Sequence, residues 1–175
     1  MTRALVVYES LFGHTEQIAR AVAAGVSVHF ETDVQTVDTA PEHIPPQYDL
    51  ILVGGPTHTF TMTRSTTRAE ALQRGATHGT QDMGLREWLD RLDAHHHEAL
   101  VATFDTRVQR VRRLPGSAAK AAAKRIRRLG FDPAASPESF YVLDVDGPLA
   151  DSELERAEVW GRQVAQAARY PQGVR

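Results

Sequence analysis

Short apolar runs rich in β-branched residues alternate along the chain with segments whose apolar positions recur at helical spacing. Runs of the first kind are typical of strands buried on both faces, and segments of the second kind are typical of helices that cover a sheet. The pattern predicts five strands, near residues 4–9, 33–38, 48–55, 99–104 and 140–145. It predicts helices near residues 15–26, 85–92 and 117–129, a short helix around residue 67, and a last helix that begins at Ser152.

Strands that alternate with helices indicate a parallel sheet with right-handed crossovers. The expected fold is therefore α/β, a three-layer doubly wound sandwich around a five-stranded parallel sheet of order 2-1-3-4-5. In that topology the ligand crevice lies at the carboxyl ends of the first and third strands, where the direction of winding reverses. The loops that follow these two strands, residues 10–15 and 54–62, are the candidate site.

Composition excludes several classes of protein. The chain has 175 residues, 42% of them hydrophobic, and residues 1–175 are expected to form a single domain. Its net charge of −2 gives no reason to expect nucleic acid or a membrane as a partner. The absence of cysteine excludes disulfides, thiolate metal sites and cysteine nucleophiles. The N-terminus enters a strand without a signal peptide, so a cytoplasmic location is expected.

The loop at residues 10–15, S-L-F-G-H-T, joins the first strand directly to an amphipathic helix. The first N–H groups of a helix have no partner within the helix, and the helix dipole places partial positive charge there. Two hydroxyl residues beside such a helix start are typical of an anion site. They are also ordinary helix caps, which is the alternative interpretation. The sequence has no G-x-x-x-x-G-K-[ST] motif, which excludes a P-loop NTPase. A dinucleotide fingerprint needs three spaced glycines, and this loop has one.

The same loop resembles the T-x-T-G-x-T loop of flavodoxins, which wraps the phosphate of FMN. Ser10, Gly13 and Thr15 match that pattern, while Phe12 replaces its middle hydroxyl residue. The resemblance implies a flavodoxin-like fold with FMN as the cofactor. It implies that the residues around the FMN phosphate are Ser10, Leu11, Phe12, Gly13, His14 and Thr15.

The second loop, G-G-P-T-H-T-F-T-M at residues 54–62, is similar to the P-T-R-F-G-N-M loop of the flavodoxin-like quinone reductases. Pro56, Thr57 and Met62 match in spacing, and His58 stands where that loop has arginine. The resemblance implies contacts to the flavin ring from Gly55, Pro56, Thr57, His58, Thr59 and Phe60. A proline turn with surface threonines is the alternative.

The third flavin loop of flavodoxins follows the fourth strand and reads G-x-G-D with an aromatic residue. Here the corresponding residues have neither glycine, and the resemblance implies ring contacts from Thr103, Phe104, Asp105 and Thr106. Arg107, which follows, would stabilise an anionic reduced flavin.

Two functional hypotheses follow. The first is a flavodoxin-like FMN-binding redox protein for electron transfer or flavin-dependent reduction, whose partner is a redox protein or NAD(P)H with a quinone. The second is a flavodoxin-fold module that has lost FMN and binds a protein or ligand, with residues 56–84 and the basic stretch 107–128 as candidate surfaces. No general acid, general base or metal site is predicted, and His95, His96 and His97 are interpreted as a solvated turn.

Overall fold

The elements of the fold follow the expected alternation of strands and helices. The computed structural model describes residues 2–93 and 98–170, and the predicted turn at residues 95–97 lies outside them. The strands are β1 (Arg3–Tyr8), β2 (Glu31–Thr36), β3 (Tyr48–His58), β4 (Thr61–Met62), β5 (Leu100–Val108), β6 (Asp132–Pro133) and β7 (Glu138–Val142). The helices are α1 (His14–Val26), α2 (Ser65–Gln73), α3 (Leu85–Arg91), α4 (Ala118–Arg128) and α5 (Glu153–Arg169), with a 3₁₀ turn at Gln109–Val111.

The sheet has the order β2-β1-β3-β5, with β6 and β7 both beside β5. All of these neighbours pair in parallel. β6 pairs with the first residues of β5, and β7 pairs with its carboxyl half from Phe104 onward. The expected order 2-1-3-4-5 is confirmed, with the fifth place shared by β6 and β7. β4 pairs only with the end of β3, as an antiparallel hairpin.

Helices cover both faces of the sheet. On one face α1 and α5 bury Ile18 and Trp160 against Val6 and Phe104. On the other, α3 and α4 bury residues such as Trp88 together with Val53. Each face therefore has its own apolar core, as a doubly wound sandwich requires. Within the described ranges, every helix falls short of the length and apolar character that a membrane span requires.

Two strands are longer than the sequence pattern predicts. β3 continues past its paired glycines to His58, and β5 continues to Val108 instead of ending at Phe104. The prediction that this strand ends at Phe104 is wrong, and hydrogen bonds to Ala119 of α4 hold two polar side chains near the predicted end of the strand. The Thr103 hydroxyl donates to the carbonyl of Ala119 at 2.9 Å, and the Asp105 carboxylate accepts from the Ala119 N–H at 2.9 Å. The apolar spacing of α5 also predicts that Leu154 faces the core, whereas Leu154 is 46% exposed.

A buried polar cluster ties the long connection after β3 to the end of β1. Glu9, 2% exposed, accepts hydrogen bonds from the Thr63 hydroxyl at 2.6 and 2.7 Å and from the Leu85 N–H at 3.2 Å. Arg68 of α2 is fully buried and donates to Thr63 at 2.8 Å and to Glu87 at 2.9 Å. The Glu9–Arg68 cluster, formed by Glu9, Thr63, Arg68 and Glu87, therefore fixes α2 and the start of α3 against the sheet.

Burial raises the pKa of Glu9 to about 7, although the Thr63 hydrogen bond and the Arg68 charge act in the opposite direction. Since the ordinary value is 4.5, the folded protein holds a proton on Glu9 at pH values where the unfolded chain has released it. A raised folded-state pKa gives stabilisation that is complete below the unfolded-state pKa and is lost as the pH rises through the folded-state pKa. The Glu9 contribution to stability is therefore lost between about pH 4.5 and pH 7.

We expect Glu9→Gln to remove this pH dependence, because glutamine resembles the protonated acid and does not titrate. The difference in unfolding free energy between wild type and Glu9→Gln should shift by up to about 3 kcal/mol between pH 4.5 and 7. Urea unfolding followed by circular dichroism measures it, with the exposed Glu155→Gln as the matched control. An equal difference at both pH values would contradict the assignment.

Candidate functional site

A cavity of about 340 Å³ lies at the carboxyl ends of β1, β3 and β5, where the two winding directions meet. Its volume is in the range of small-molecule sites, which is about 300–1,000 Å³. The loop after β1, the end of β3, helix α2 and the end of β5 with the following turn form its walls. The lining residues are Leu11, Phe12, His14, Thr15, Pro56, Thr57, His58, Thr59, Phe60, Thr67, Glu70, Ala71, Arg74, Thr106, Arg107, Val108, Arg110, Val111, Val142 and Val145.

The start of α1 presents backbone donors to this cavity. Gly13 is the N-cap, with φ of 90°, a left-handed conformation that favours glycine. The Ser10 hydroxyl oxygen accepts from the N–H of Gly13 at 3.1 Å and from that of Glu16 at 3.3 Å. In residues 2–93 and 98–170 no acceptor is found for the N–H groups of His14 and Thr15. Free donors at a helix start, together with the helix dipole, are an arrangement that favours an anion.

Thr15 and Thr106 join α1 to β5 inside the cavity wall. Their hydroxyl oxygens are 2.7 Å apart, and both side chains are buried. One hydroxyl donates to the other, so the accepting hydroxyl keeps a proton that it can donate elsewhere. The pair thus leaves one hydroxyl donor beside the two free N–H groups.

His14 contributes an unsatisfied ring nitrogen. Its Nε2 lies 2.8 Å from the carbonyl oxygen of Asp146, and since a carbonyl only accepts, Nε2 carries the proton. Its Nδ1 is buried with no hydrogen-bond partner. A Cβ on Gly147 would overlap the imidazole ring, which shows that this ring lies against the Gly147 backbone. Nδ1 accepts a hydrogen bond when the ring is neutral and donates one when the ring is charged.

The end of β3 and the turn into β4 form the middle wall. Thr59 and Phe60, with φ of 49° and 62°, make the turn, and the Phe60 side chain is 43% exposed at the rim of the cavity. The Thr57 hydroxyl accepts from the Ala118 N–H at 2.9 Å, which ties this wall to the start of α4. Burial and the Arg68 charge lower the pKa of His58, so its imidazole is neutral near pH 7.

No protein-family model matches the chain, whereas several solved structures resemble it closely in shape. A flavodoxin from the domain Archaea is 18% identical, with a TM-score of 0.64 over 97% of this chain and 99% of that chain. Flavodoxin 2 from Bacillus cereus is 16% identical, with a TM-score of 0.64 over 94% of this chain and 98% of that chain. A flavodoxin-type WrbA-like protein from Agrobacterium tumefaciens is 17% identical, with a TM-score of 0.58 over 97% and 98%.

The protein has a flavodoxin-like fold. The fold expected from the sequence is confirmed along nearly the whole chain. At these identities the likeness concerns the fold, and the chemistry of the cavity depends on the residues found in it.

Several predicted site residues of this flavodoxin-like fold lie beneath the cavity instead of in its wall. Phe104 is fully buried and packs edge-to-face with Phe140 and Trp160, at centroid distances of 6.4 and 6.0 Å. The side chains of Thr103 and Asp105 are hydrogen-bonded to the backbone of Ala119 in α4. Of the four residues predicted after the fourth strand, Thr106 alone lines the cavity. Ser10, Gly13 and Gly55 also do not line it, although Ser10 and Gly13 shape the loop that does.

Sequence reasoning named residues 56–84 only as a candidate surface and did not place α2 in the wall of the cavity. Thr67, Glu70, Ala71 and Arg74 line the cavity at helical spacing, and that spacing is the signal in the sequence that identifies them. It also missed the apolar residues Val108, Val111, Val142 and Val145. Val142 and Val145 lie in the predicted fifth strand, and Val108 and Val111 follow the predicted fourth strand. Their convergence depends on how the loops fold.

We expect the Thr15–Thr106 pair to behave as one energetic unit. Thr15→Val leaves a buried hydroxyl without a partner and should cost about 1–3 kcal/mol, as should Thr106→Val. The double variant should cost less than the sum of the two, with a coupling energy of about 1 kcal/mol or more, measured by urea unfolding. Thr15→Val combined with Thr32→Val, whose hydroxyl donates to the Phe30 carbonyl, should be additive. Additivity of Thr15→Val and Thr106→Val would show that the hydrogen bond contributes nothing.

Proposed function

We propose that the cavity binds FMN and that the protein is a flavin-dependent redox protein, either an electron carrier or a reductase. The observation that carries the proposal is the pair of free N–H groups at His14 and Thr15, in the same cavity as the wall at residues 56–60. A single ligand with a phosphate at the two N–H groups and a flat ring along the wall at residues 56–60 would occupy both parts of the cavity. The flavodoxin-like fold supports the proposal, because its solved relatives include flavodoxins.

The phosphate of FMN would be held by uncharged donors. The N–H groups of His14 and Thr15, the spare hydroxyl proton of the Thr15–Thr106 pair and the α1 dipole all favour an anion. Ser10 acts as a positioning residue, because its hydroxyl oxygen accepts hydrogen bonds from the N–H groups of Gly13 and Glu16 and so fixes the loop.

The ring of FMN would lie between apolar side chains of the opposite wall. Pro56, Phe60, Val108, Val142 and Val145 offer a largely apolar surface that excludes water from a flat ligand. When bound, FMN supplies hydride transfer and single-electron transfer, and the protein supplies orientation and electrostatics. Its partner is a redox protein or NAD(P)H with a quinone. Sustained NAD(P)H oxidation with a quinone by the FMN-loaded protein alone would identify a reductase.

A second candidate is a flavodoxin-fold module that has lost FMN and binds another ligand or a protein. One observation favours it: the Ser10 hydroxyl is already occupied by backbone N–H groups, and Phe12 takes the place of the neighbouring hydroxyl residue. Such a module would use the same cavity with its α2 wall, or the basic stretch 107–128.

The first test is a titration of the purified protein with FMN, followed by quenching of flavin fluorescence. We expect saturable one-to-one binding that Gly13→Ala weakens by about tenfold or more, which is about 1.4 kcal/mol. A side chain at this φ is strained, and a Cβ there would also lie 3.2 Å from Cε1 of His78, so the His78 ring must shift by a few tenths of an ångström.

Gly130→Ala is the matched control for that titration. Gly130 has φ of 94° and open space around it at the end of α4, so alanine introduces the same backbone strain outside the cavity. Both variants should lose about 1–2 kcal/mol of stability, and only Gly13→Ala should lose affinity for FMN. If the wild-type protein does not quench the fluorescence of FMN, FMN binding is excluded. The second candidate, a flavodoxin-fold module that binds another ligand or a protein, then remains.

Phe60 tests where the ring lies. Phe60→Ala should weaken FMN binding by about 2- to 10-fold, the effect of one aromatic contact, and change the unfolding free energy by less than about 0.5 kcal/mol. Its side chain is 43% exposed, so little of the core depends on it. Leu114→Ala, at a residue 47% exposed and outside the cavity lining, is the control. Unchanged affinity in Phe60→Ala would remove Phe60 from the ring site.

A further inference from the structure

Arg107 is a buried cation in the cavity wall. Its side chain lies on β5, the residue is 5% exposed, and it lines the cavity. One nitrogen, Nη2, donates to the carbonyls of Val111 and Leu114 at 2.9 and 3.2 Å, while the buried Nε has no partner in residues 2–93 and 98–170. Among the described residues, none of the carboxylates forms an ion pair with it. A buried guanidinium held only by neutral carbonyls is an unusual and costly arrangement unless a ligand completes it.

The acidic groups near Arg107 do not neutralise the cavity. Asp105 lies two residues earlier on the same strand, but its Oδ2 accepts from the Ala119 N–H; burial raises the pKa of Asp105, while the charge of Arg107 acts in the opposite direction. Glu70 is the one carboxylate in the described lining, which also contains the guanidinium groups of Arg74 and Arg110. Arg110 pairs with the exposed Asp144 at 3.5 Å. The lining therefore has an excess of positive charge, and Arg107 is the most deeply buried of its three arginines.

We infer that the cavity binds two-electron-reduced, anionic FMN more tightly than oxidised FMN, and that Arg107 is the residue that determines this preference. The inference rests on the proposed function. Transfer of one hydride from a nicotinamide donor brings two electrons and one proton to the oxidised ring, which is neutral, and leaves that ring with one negative charge. The phosphate carries the same charge in both forms. The two forms therefore differ in the charge of the ring, which would lie against the apolar wall and near Arg107.

A buried cation discriminates between a neutral ring and an anionic ring more strongly than a solvent-exposed cation does. An opposite charge within about 4–6 Å shifts an ionisation by about 1–3 pKa units, which is a preference of about 10- to 1,000-fold for the charged form. Arg107 loses its hydration when the chain folds, so ligand binding does not have to remove that water. By thermodynamic linkage, each tenfold preference for the reduced form raises the two-electron midpoint potential of bound FMN by about 30 mV above that of free FMN.

The experiment compares the full chain loaded with FMN with free FMN. Fluorescence quenching gives the Kd of oxidised FMN, and anaerobic ultrafiltration with dithionite-reduced FMN gives the Kd of the reduced form. A spectroelectrochemical titration of the two-electron potential checks the ratio independently. The variants are Arg107→Met, which removes the charge, Arg107→Lys, which keeps it, and Arg128→Met, which removes an exposed charge from the end of α4.

We expect wild type, Arg107→Lys and Arg128→Met to bind reduced FMN about tenfold or more tightly than oxidised FMN, and Arg107→Met to bind the two forms about equally. A wild-type ratio near one or below it overturns the inference while leaving FMN binding in place. Equal loss of both affinities in Arg107→Met also overturns it, since Arg107 would then act on the phosphate or on the 3₁₀ turn.

Two further outcomes are informative. If Arg107→Met does not fold, a preference for reduced FMN in wild type that Arg107→Lys retains supports the inference, and its loss in Arg107→Lys with oxidised affinity intact overturns the role of charge. If neither form of FMN binds to the wild-type protein, the proposed function fails, and this inference fails with it.

Discussion

The reversal of winding between β1 and β3 is the constraint on which the rest of the structure depends. β1 pairs in parallel with β2 on one side and with β3 on the other. The chain passes from β1 to β2 through α1 on one face of the sheet, and from β3 to β5 through α2 and α3, with α3 on the opposite face. The loops that leave β1 and β3 therefore diverge, and a cavity remains between them. The cavity is a consequence of this topology, whatever it binds.

Hydrogen bonds between side chains hold the diverging loops in place. The Ser10 hydroxyl orders the loop after β1, and the Thr15–Thr106 pair fastens that loop to β5. The Glu9–Arg68 cluster fastens the long connection after β3, so that α2 becomes a wall of the cavity. Within the part of the chain that the structure describes, these contacts leave the N–H groups of His14 and Thr15 and the Nε of Arg107 without partners. A rigid frame with unsatisfied donors on its inner surface is what a site for an anionic ligand requires.

The sequence predicts the fold well because its apolar runs are long and regular. β1, α1 and α4 lie within one or two residues of their predicted positions, and the sheet order follows from the alternation of strands and helices. It predicts the loop after β1 as an anion site from the hydroxyl and glycine residues at a helix start. What it cannot reveal is tertiary pairing: Thr103 and Asp105 are polar in sequence but hydrogen-bonded to Ala119 of α4, and β5 is longer than its apolar run. The burial of Arg107 depends on a turn that only the folded chain forms.

The most direct measurement of the central claim is an ¹H–¹⁵N correlation spectrum of the labelled protein, recorded with FMN and then with riboflavin, which lacks the phosphate. The account predicts large shifts of the His14 and Thr15 amide signals with FMN only, together with shifts at Thr57–Phe60 with both ligands. Amide shifts confined to residues outside the cavity, or identical shifts of His14 and Thr15 with both ligands, would contradict it.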